Sequence, residues 1–547
     1  MVDMNAFSAV SDLSTLSENG LTRRSLVGTL LVLVASLVIW SLLLSKKKKE
    51  EEARKLKFHR SWSFTSNGMR IGCFPPATQA PETIINAANY FDSLPSVDQL
   101  VKEVIEPLLK YDRFRTILTA TPDLQHINQL PFEPSELVRQ VSSPATTETE
   151  FQQHIFELCL DESALKPFEC KLPLWEIVRI QSPKLKGKPK GSGVCILRTH
   201  HTLCDGLSLV AAFDKILTST DGSPVESKVT KGMLGKNRDS SGTKKPKLPR
   251  PSIASLVGAV GHVLTLGATK FDTPTAFIKD RSLTYNKRRE MIVFPSISLS
   301  LLKDLKGAAS TKWGNGMIAS INDVLMFAVS QAIHDYSKNV RNDPLFEDDK
   351  KEIQCRALLP ASLPRKAKEL GDYSQALANR WCMVSADLSV GNMASPLDRL
   401  RAIHDTTTVM KRSPRAFVQL WVQNNIAPLL PTSMARQTTL DIFSRHSLVL
   451  TNVPGPEQEC LFASQPVKQV QMIFPNVISQ ISLLSYAGTV DGNFVYDPVA
   501  LPECRETFPG LYAKALVDLA AVLEISSKVP TELVEAANKT VEYMATK

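Results

Sequence analysis

The sequence lacks the signatures of several large function classes. No G-x-G-x-x-G follows a candidate strand and no P-loop occurs, so nucleotide cofactors have no expected cradle. Nine cysteines lie scattered at 73, 159, 170, 195, 204, 355, 382, 460 and 504, with no C-x-x-C. An odd, unpaired set argues against a zinc site or a disulfide scaffold and fits reduced thiols facing the cytosol. Glycine (24) and proline (34) are too few for a fibrous repeat, and no internal repeat is visible. The net charge of +9 is not spread over the chain. Residues 46–60 hold eight Lys/Arg and three Glu, and residues 221–250 hold eight Lys/Arg and three acids, leaving the remainder at 9 − 10 = −1. A nucleic-acid-binding fold needs a basic face, so that class loses its support.

What remains is ordinary globular composition, 43% hydrophobic and 22% charged over 547 residues. That length suits two to four domains at roughly 100–200 residues each. One segment stands apart. Residues 25–45 run 21 positions without a charge, about 31 Å as a helix at ~1.5 Å per residue, which matches a bilayer core. A cleaved signal peptide would have a shorter apolar region and a small-residue cleavage site; Lys46–Lys49 follow instead. Eight Lys/Arg after the span against Arg23 and Arg24 before it predict a single-pass anchor with the bulk of the chain in the cytosol, on the endoplasmic reticulum. The basic run also suits contact with anionic headgroups.

The expected organisation is a short lumenal terminus (1–24), the anchor (25–45), a basic flank and tether (46–83), a first globular half (84–220), a basic crossover with an amphipathic helix (221–281), and a second half (282–547). Val97–Leu109 carries a helical apolar stripe. Leu174–Ile180 and Val194–Thr199 read as a strand pair around a lysine-rich loop (Lys184, Lys186, Lys188, Lys190). Ile253–Phe271, apolar but interrupted by Gly258, Gly261, His262 and Gly267, favours an amphipathic helix on the protein or on a membrane surface over a second span. Ser320 opens a helix with Val324, Leu325, Ala328 and Ala332 on one face. Ser447–Leu450 reads as a short strand ended by a turn at Thr451–Pro456, Ile481–Tyr486 as another, and Asp491-Gly492 as a hairpin turn. Tyr512–Leu523 reads as a terminal helix. Strands and helices mix without a βαβ rhythm, an α/β class.

The chemistry-bearing motif is His200-His201-Thr202-Leu203-Cys204-Asp205-Gly206, which follows the second strand and precedes an apolar helix. A histidine is largely neutral at cytosolic pH and takes a proton from an alcohol. Side chains alternate along a strand, so His200 and His201 face different ways: either one meets substrate and the other is structural, or both form a buried pair capping the strand. Asp205 fixes the turn or caps the next helix, and Gly206 lets the chain bend or approach another backbone closely. Two adjacent histidines diverge and no third ligand clusters near them, so no metal site is expected.

These residues resemble a known family. The HHTLCDG run, Pro173-Leu174-Trp175 upstream, Asn322-Asp323 at the head of a helix, a late Thr451–Pro456 turn, Arg356–Pro360 and Ser485–Gly488 together resemble the wax ester synthase/diacylglycerol acyltransferase family, over roughly residues 85–540 and in the expected order. The late D-F-G-W-G of the plant alcohol acyltransferases is absent. The resemblance implies two chloramphenicol acetyltransferase-like mixed-sheet halves around a central tunnel. His201 would be the general base, with His200, Asp205 and Gly206 supporting it. Asn322, Asp323 and Asn452 would line the substrate path, although the first two also suit a helix cap. Acyl-CoA would be the co-substrate, a fatty alcohol or diacylglycerol the acceptor, the bilayer their source, with no cofactor. A non-catalytic, membrane-tethered lipid-binding protein on the same fold is the other reading the sequence leaves open.

Overall fold

A computed structural model describes residues 81–546 except 118–124, 127–131, 166–170, 184–188, 190, 226, 228–229, 231–251, 266–268, 279–287, 350, 363–366 and 428–438. The expected anchor, its basic flank and tether up to residue 80, the loop lysines and most of the basic crossover lie outside the described residues. Among the described residues no helix is long and apolar enough to cross a membrane.

The strand pair read from the sequence is the centre of the first sheet. Strand β6 (Gly193–His200) is buried along its whole length and pairs antiparallel with β5 (Trp175–Gln181) on one side and β1 (Ile84–Phe91) on the other. Both faces are covered because the period-2 alternation is apolar on both. Ile177, Cys195 and Leu197 face a core built with Leu100, Val104, Ile105, Leu108 and Phe114. Val178, Ile180, Val194 and Ile196 face Phe151, Ile155, Phe156 and Cys159 of helix α1 (Glu148–Leu160). The stripe at 97–109 is helical as expected, running Val97–Leu100, a π-helical turn Val101–Ile105 and Glu106–Leu108.

The full order of the first sheet is β4-β5-β6-β1-β14-β13-β7, with β4 (Val138–Ser142) parallel to β5 and β7 (Thr218–Ser219) at the far edge. A two-stranded ribbon, β2 (Thr116–Ile117) with β3 (Gln125–His126), stands apart. Strands β13 (Cys460–Phe462) and β14 (Gln465–Ile473) come from far down the chain, and β14 pairs with β1 from Asn86↔Ile473 onward. The expected division at residue 282 therefore does not separate the sheets: residues 460–473 return to complete the first one. Burial drives the return, since Cys460, Phe462 and Val467 join the core that holds Leu197 and Leu203.

The second sheet has the order β11-β10-β12-β15-β16-β8, with β9 (Ile297–Ser298) also on β16. Strands β10 (Arg356–Ser362), β12 (Leu448–Pro454) and β15 (Gln480–Tyr486) are parallel neighbours, while β11 (Trp381–Asp387), β16 (Thr489–Tyr496) and β8 (Glu290–Val293) add antiparallel pairs. Both large sheets are mixed, as expected for this α/β class. The largest core packs this sheet against helices α4 (Leu299–Trp313), α5 (Ile321–Asp335), α6 (Pro396–Arg412) and α8 (Cys504–Val522). Helix α7 (Arg415–Asn425) covers β11, and α3 (Ile253–Leu264) lies against α7.

Three local expectations change. The strand expected at Ser447–Leu450 continues to Pro454, because β12 is flanked by β10 and β15 and Thr451–Pro454 pair with Ser482–Ser485. The hairpin turns at Ala487-Gly488, both left-handed (φ 45° and 85°), not at Asp491-Gly492. Gly492 sits inside β16 instead, where a Cβ would come within 2.6 Å of Leu483 and 2.9 Å of Phe294; the glycine serves close packing. Helix α8 starts at Cys504 and is not terminal, since α9 (Thr531–Ala545) follows and packs on it.

The α8–α9 contact depends on Gly510. A Cβ there would fall 1.8 Å from Thr540 Oγ1 and 2.6 Å from the Ala536 carbonyl. Gly510→Ala is expected to force the helices apart and lower stability by ~1–3 kcal/mol through over-packing, despite alanine's better helix propensity. Denaturant unfolding of the two proteins checks this; an unchanged midpoint would contradict the contact.

Candidate functional site

The turn after β6 carries the histidine pair. His200 is the last residue of the strand and fully buried. Its Nδ1 accepts the Thr202 backbone N–H at 3.2 Å, which leaves the proton of the neutral ring on Nε2, facing Glu82 at 3.5 Å. His201 leaves the sheet: its N–H donates to the Thr83 carbonyl at 2.7 Å, and the residue is only half-buried. The two rings thus face different surroundings, and His201 is the accessible one.

His201 is oriented by a residue 178 positions away. Asn379 is 1% exposed, and its amide nitrogen donates to the carbonyls of His201 (2.7 Å) and Thr202 (3.2 Å). That fixes which end of the amide is oxygen. Its Oδ1 also accepts the indole N–H of Trp381 at 3.2 Å, and an indole can only donate. The Oδ1 that lies 2.9 Å from His201 Nδ1 must therefore accept there too. Nδ1 carries the proton, and Nε2 is left with a free lone pair. Trp381 and Phe474 flank the ring, with centroids 5.3 and 5.9 Å away. Burial holds the His201 imidazole below the ordinary histidine value, against the opposing pull of its own backbone carbonyl, Asp205 and Asn379.

Asp205 holds the two segments together. It caps helix α2 (Gly206–Phe213), accepting from the Ser208 N–H at 2.7 Å and hydroxyl at 2.6 Å. Its other oxygen accepts the Arg380 backbone N–H at 2.9 Å, and its own N–H donates to the Ala378 carbonyl at 3.2 Å. Asp205 thus clasps both neighbours of Asn379, which places Asn379 under the His201 ring. The cap and the turn were legible in the sequence; the clasp on 378–380 was not. Gly206 does not serve as expected. It is the first residue of a right-handed helix, outside the positive-φ set, and nothing lies within 4 Å of where its Cβ would sit. Neither a bend nor a close backbone approach calls for glycine; what it leaves is open space beside Asp205.

The other three expected site residues form a second group. The Asn452 amide on β12 donates to Asn322 Oδ1 at 2.7 Å, so these two are brought together across 130 positions, and the pair is exposed. Asp323 turns away into the protein. It completes a capping box with Ser320 and accepts from Thr407 at 2.7 Å and His404 at 2.9 Å, fully buried. Burial alone would raise its carboxyl, but His404, Thr407, Ser320 and Lys411 together hold it below the ordinary value. Its role is to pin α6 onto the start of α5. Trp175, from the upstream motif, is likewise packing: its indole donates to the Phe114 carbonyl at 2.9 Å inside the core.

No group of three or more His, Cys, Asp or Glu side chains suited to a metal occurs among the described residues.

Comparison with known proteins gives a domain match and a fold. Residues 377–511 match the WS/DGAT C-terminal domain, a stretch that opens two residues before Asn379 and includes Trp381, Asn452 and Phe474. A Mycobacterium tuberculosis protein named probable diacylglycerol O-acyltransferase Tgs4 is 23% identical over 322 residues, 54% of this chain and 62% of that protein. Wax ester synthase/diacylglycerol acyltransferase 5 of Arabidopsis thaliana is 24% identical over 372 residues, 61% of this chain and 69% of its own. The chain thus spans under two thirds of the mycobacterial relative. Among solved structures, wax ester synthase/diacylglycerol acyltransferase from Marinobacter aquaeolei VT8 superposes with a TM-score of 0.52 at 14% identity, covering 84% of this chain and 98% of that one. The chain therefore carries the WS/DGAT C-terminal domain on the fold of a wax ester synthase/diacylglycerol acyltransferase.

Proposed function

We propose that the chain is a membrane-anchored O-acyltransferase that moves a fatty acyl group from acyl-CoA to a long-chain alcohol, a diacylglycerol, or both. The observation that carries the reading is the tautomer of His201: with Nδ1–H committed to Asn379, Nε2 is a base on a half-buried ring. Nε2 takes the acceptor's hydroxyl proton as the oxygen attacks the thioester carbonyl. The C–O bond forms and the carbonyl becomes a tetrahedral oxyanion. Its collapse breaks the C–S bond, and the CoA sulfur leaves with the proton held on Nε2. The thioester is already activated, so the step requires no cofactor and no covalent acyl-enzyme.

Two features of the sequence and the nature of the proposed acceptors support the cellular setting. The apolar run 25–45 has bilayer length, its flanking Lys/Arg favour a cytosolic catalytic domain, and the acceptors are bilayer lipids. A tether to the endoplasmic reticulum raises their effective concentration. Asn322 and Asn452, paired and exposed, are assigned to the acceptor's path toward His201.

Full-length protein given radiolabelled palmitoyl-CoA with hexadecanol or diacylglycerol is expected to release one CoA thiol per labelled ester formed. CoA release that does not depend on acceptor, or acyl-CoA binding with no ester, would overturn the assignment.

A further inference from the structure

Helix α3 poses a physical problem. Its twelve residues, Ile253–Leu264, include no charged side chain, yet it lies in an outer layer, packed on α7. Ser255 to Gly258 are exposed in succession, with Leu256 36% and Val257 50% exposed. On α7, Phe417 is 60% exposed. Large apolar side chains left exposed on two helices packed against each other favour an interaction face over a solvated one.

The sequence of these helices and their immediate flanks carries charge of one sign. Residues 240–271 and 406–440, which include all of α3 and α7, contain no Asp or Glu. Lys270, Arg412 and Arg415 are exposed. Arg415 is the first residue of α7, which packs on α3. Arg445 lies over the ring of Phe271, 4.3 Å from its centroid, so cation and apolar surface are interleaved there. The sequence leading into α3, residues 231–250, carries seven Lys/Arg and one Asp.

We infer that the exposed face of α3 and α7 docks on a bilayer surface bearing anionic headgroups. An apolar helix with cations at its flanks and no carboxylates meets both layers of such a surface: Leu256, Val257 and Phe417 enter the acyl boundary while the basic side chains remain among the phosphates. A protein partner would be expected to meet mixed charge, and a second copy would set these cations against themselves. The face also lies close to the candidate site in the fold. Helix α7 covers β11, with Cys382 Sγ 3.4 Å from the Ala416 carbonyl, and β11 begins at Trp381 beside His201. That last link rests on the proposed acyl transfer; the docking itself does not.

The test uses the full chain and reads position, because residues 25–45 alone can hold it on vesicles. An environment-sensitive dye is placed on Val257→Cys, and on Val541→Cys of α9, which packs on α8, as control, with the unsubstituted chain as background. With phosphatidylcholine/phosphatidylserine vesicles the dye at 257 is expected to shift to the blue and to be quenched by lipid-borne quencher, and the dye at 541 to do neither. Arg412→Glu with Arg415→Glu is expected to weaken the insertion at least ~25-fold, about fivefold per cation. A dye at 257 that stays open to aqueous iodide on vesicles would overturn the proposal. So would a blue shift without lipid that grows with protein concentration, which would make the face a self-association surface. No catalysis enters either readout, so this inference and the acyltransferase reading fail separately.

Discussion

His201→Ala should lower acyl transfer by roughly 10²–10⁴-fold, the usual contribution of a positioned general base, while leaving the protein folded. The side chain removed is half-buried and makes one side-chain hydrogen bond, to Asn379. Asn379 keeps two carbonyls and the Trp381 indole as partners in the variant. The stability cost is therefore that of one bond, about 0.5–1.5 kcal/mol. The loss should fall on kcat, because the proton is transferred in the transition state and not on binding. His200→Ala makes the contrast. That ring fills a fully buried position and accepts the Thr202 N–H; removing it leaves a cavity and takes this acceptor away, and the damage should appear in the melting curve first. Steady-state kinetics and thermal unfolding on both variants separate the two roles. Wild-type turnover in His201→Ala would end the mechanism.

The difference between the two histidines shows what a sequence can and cannot disclose. That one would be structural followed from the alternation of a strand, since position 200 still pairs with Ile84 and 201 does not. The strands of the first sheet's centre were legible because residues 175–180 and 194–199 are apolar on both faces. Helix α5 was legible from Ser320 and its apolar face. By contrast, Asp491-Gly492 carries a strong turn signal and is strand, because the left-handed pair Ala487-Gly488 already closes the hairpin. Gly492 answers to the bulk of Leu483 and Phe294, a constraint with no local trace. The return of β13 and β14 to the first sheet is of the same kind: their apolar residues state that they are buried, not which sheet buries them. The site divides along the same line. The motif named His201 and Asp205, whereas Asn379, Trp381 and Phe474 come from sequence with no spacing relation to it. An asparagine ahead of a strand is ordinary, and only the distances to His201 give it a role. Asn322 and Asp323 were both read as site residues, but neighbours at a helix start point apart: one meets Asn452, the other is locked under His404.

Asn379 carries the second large effect. In Asn379→Leu the acceptor for His201 Nδ1–H disappears, along with both donors to the 201–202 carbonyls. The imidazole is then free to rotate and to hold its proton on either nitrogen, so a fraction of molecules presents N–H where a base is needed. Misplacement of a reacting group by about 1 Å can cost 10²-fold, and a loss of about that size in kcat is expected. Leucine also removes a donor from the His201 and Thr202 carbonyls, the second of which keeps Arg113 at 3.4 Å, so a drop alone would not separate positioning from folding. The pH profile does. In the parent protein burial holds His201 below the ordinary value of about 6.5. The base is therefore neutral at pH 7, and kcat/KM should fall only as the pH drops below that ordinary value, when Nε2 becomes protonated. Asn379→Asp keeps an acceptor for Nδ1–H but sets a carboxylate beside the ring, which favours the imidazolium. Its acid limb should move to higher pH, with partial activity regained above it. A residue that merely filled space would lower the plateau in both variants and leave the limb where it was; that result would remove Asn379 from the mechanism and leave the tautomer of His201 without its cause.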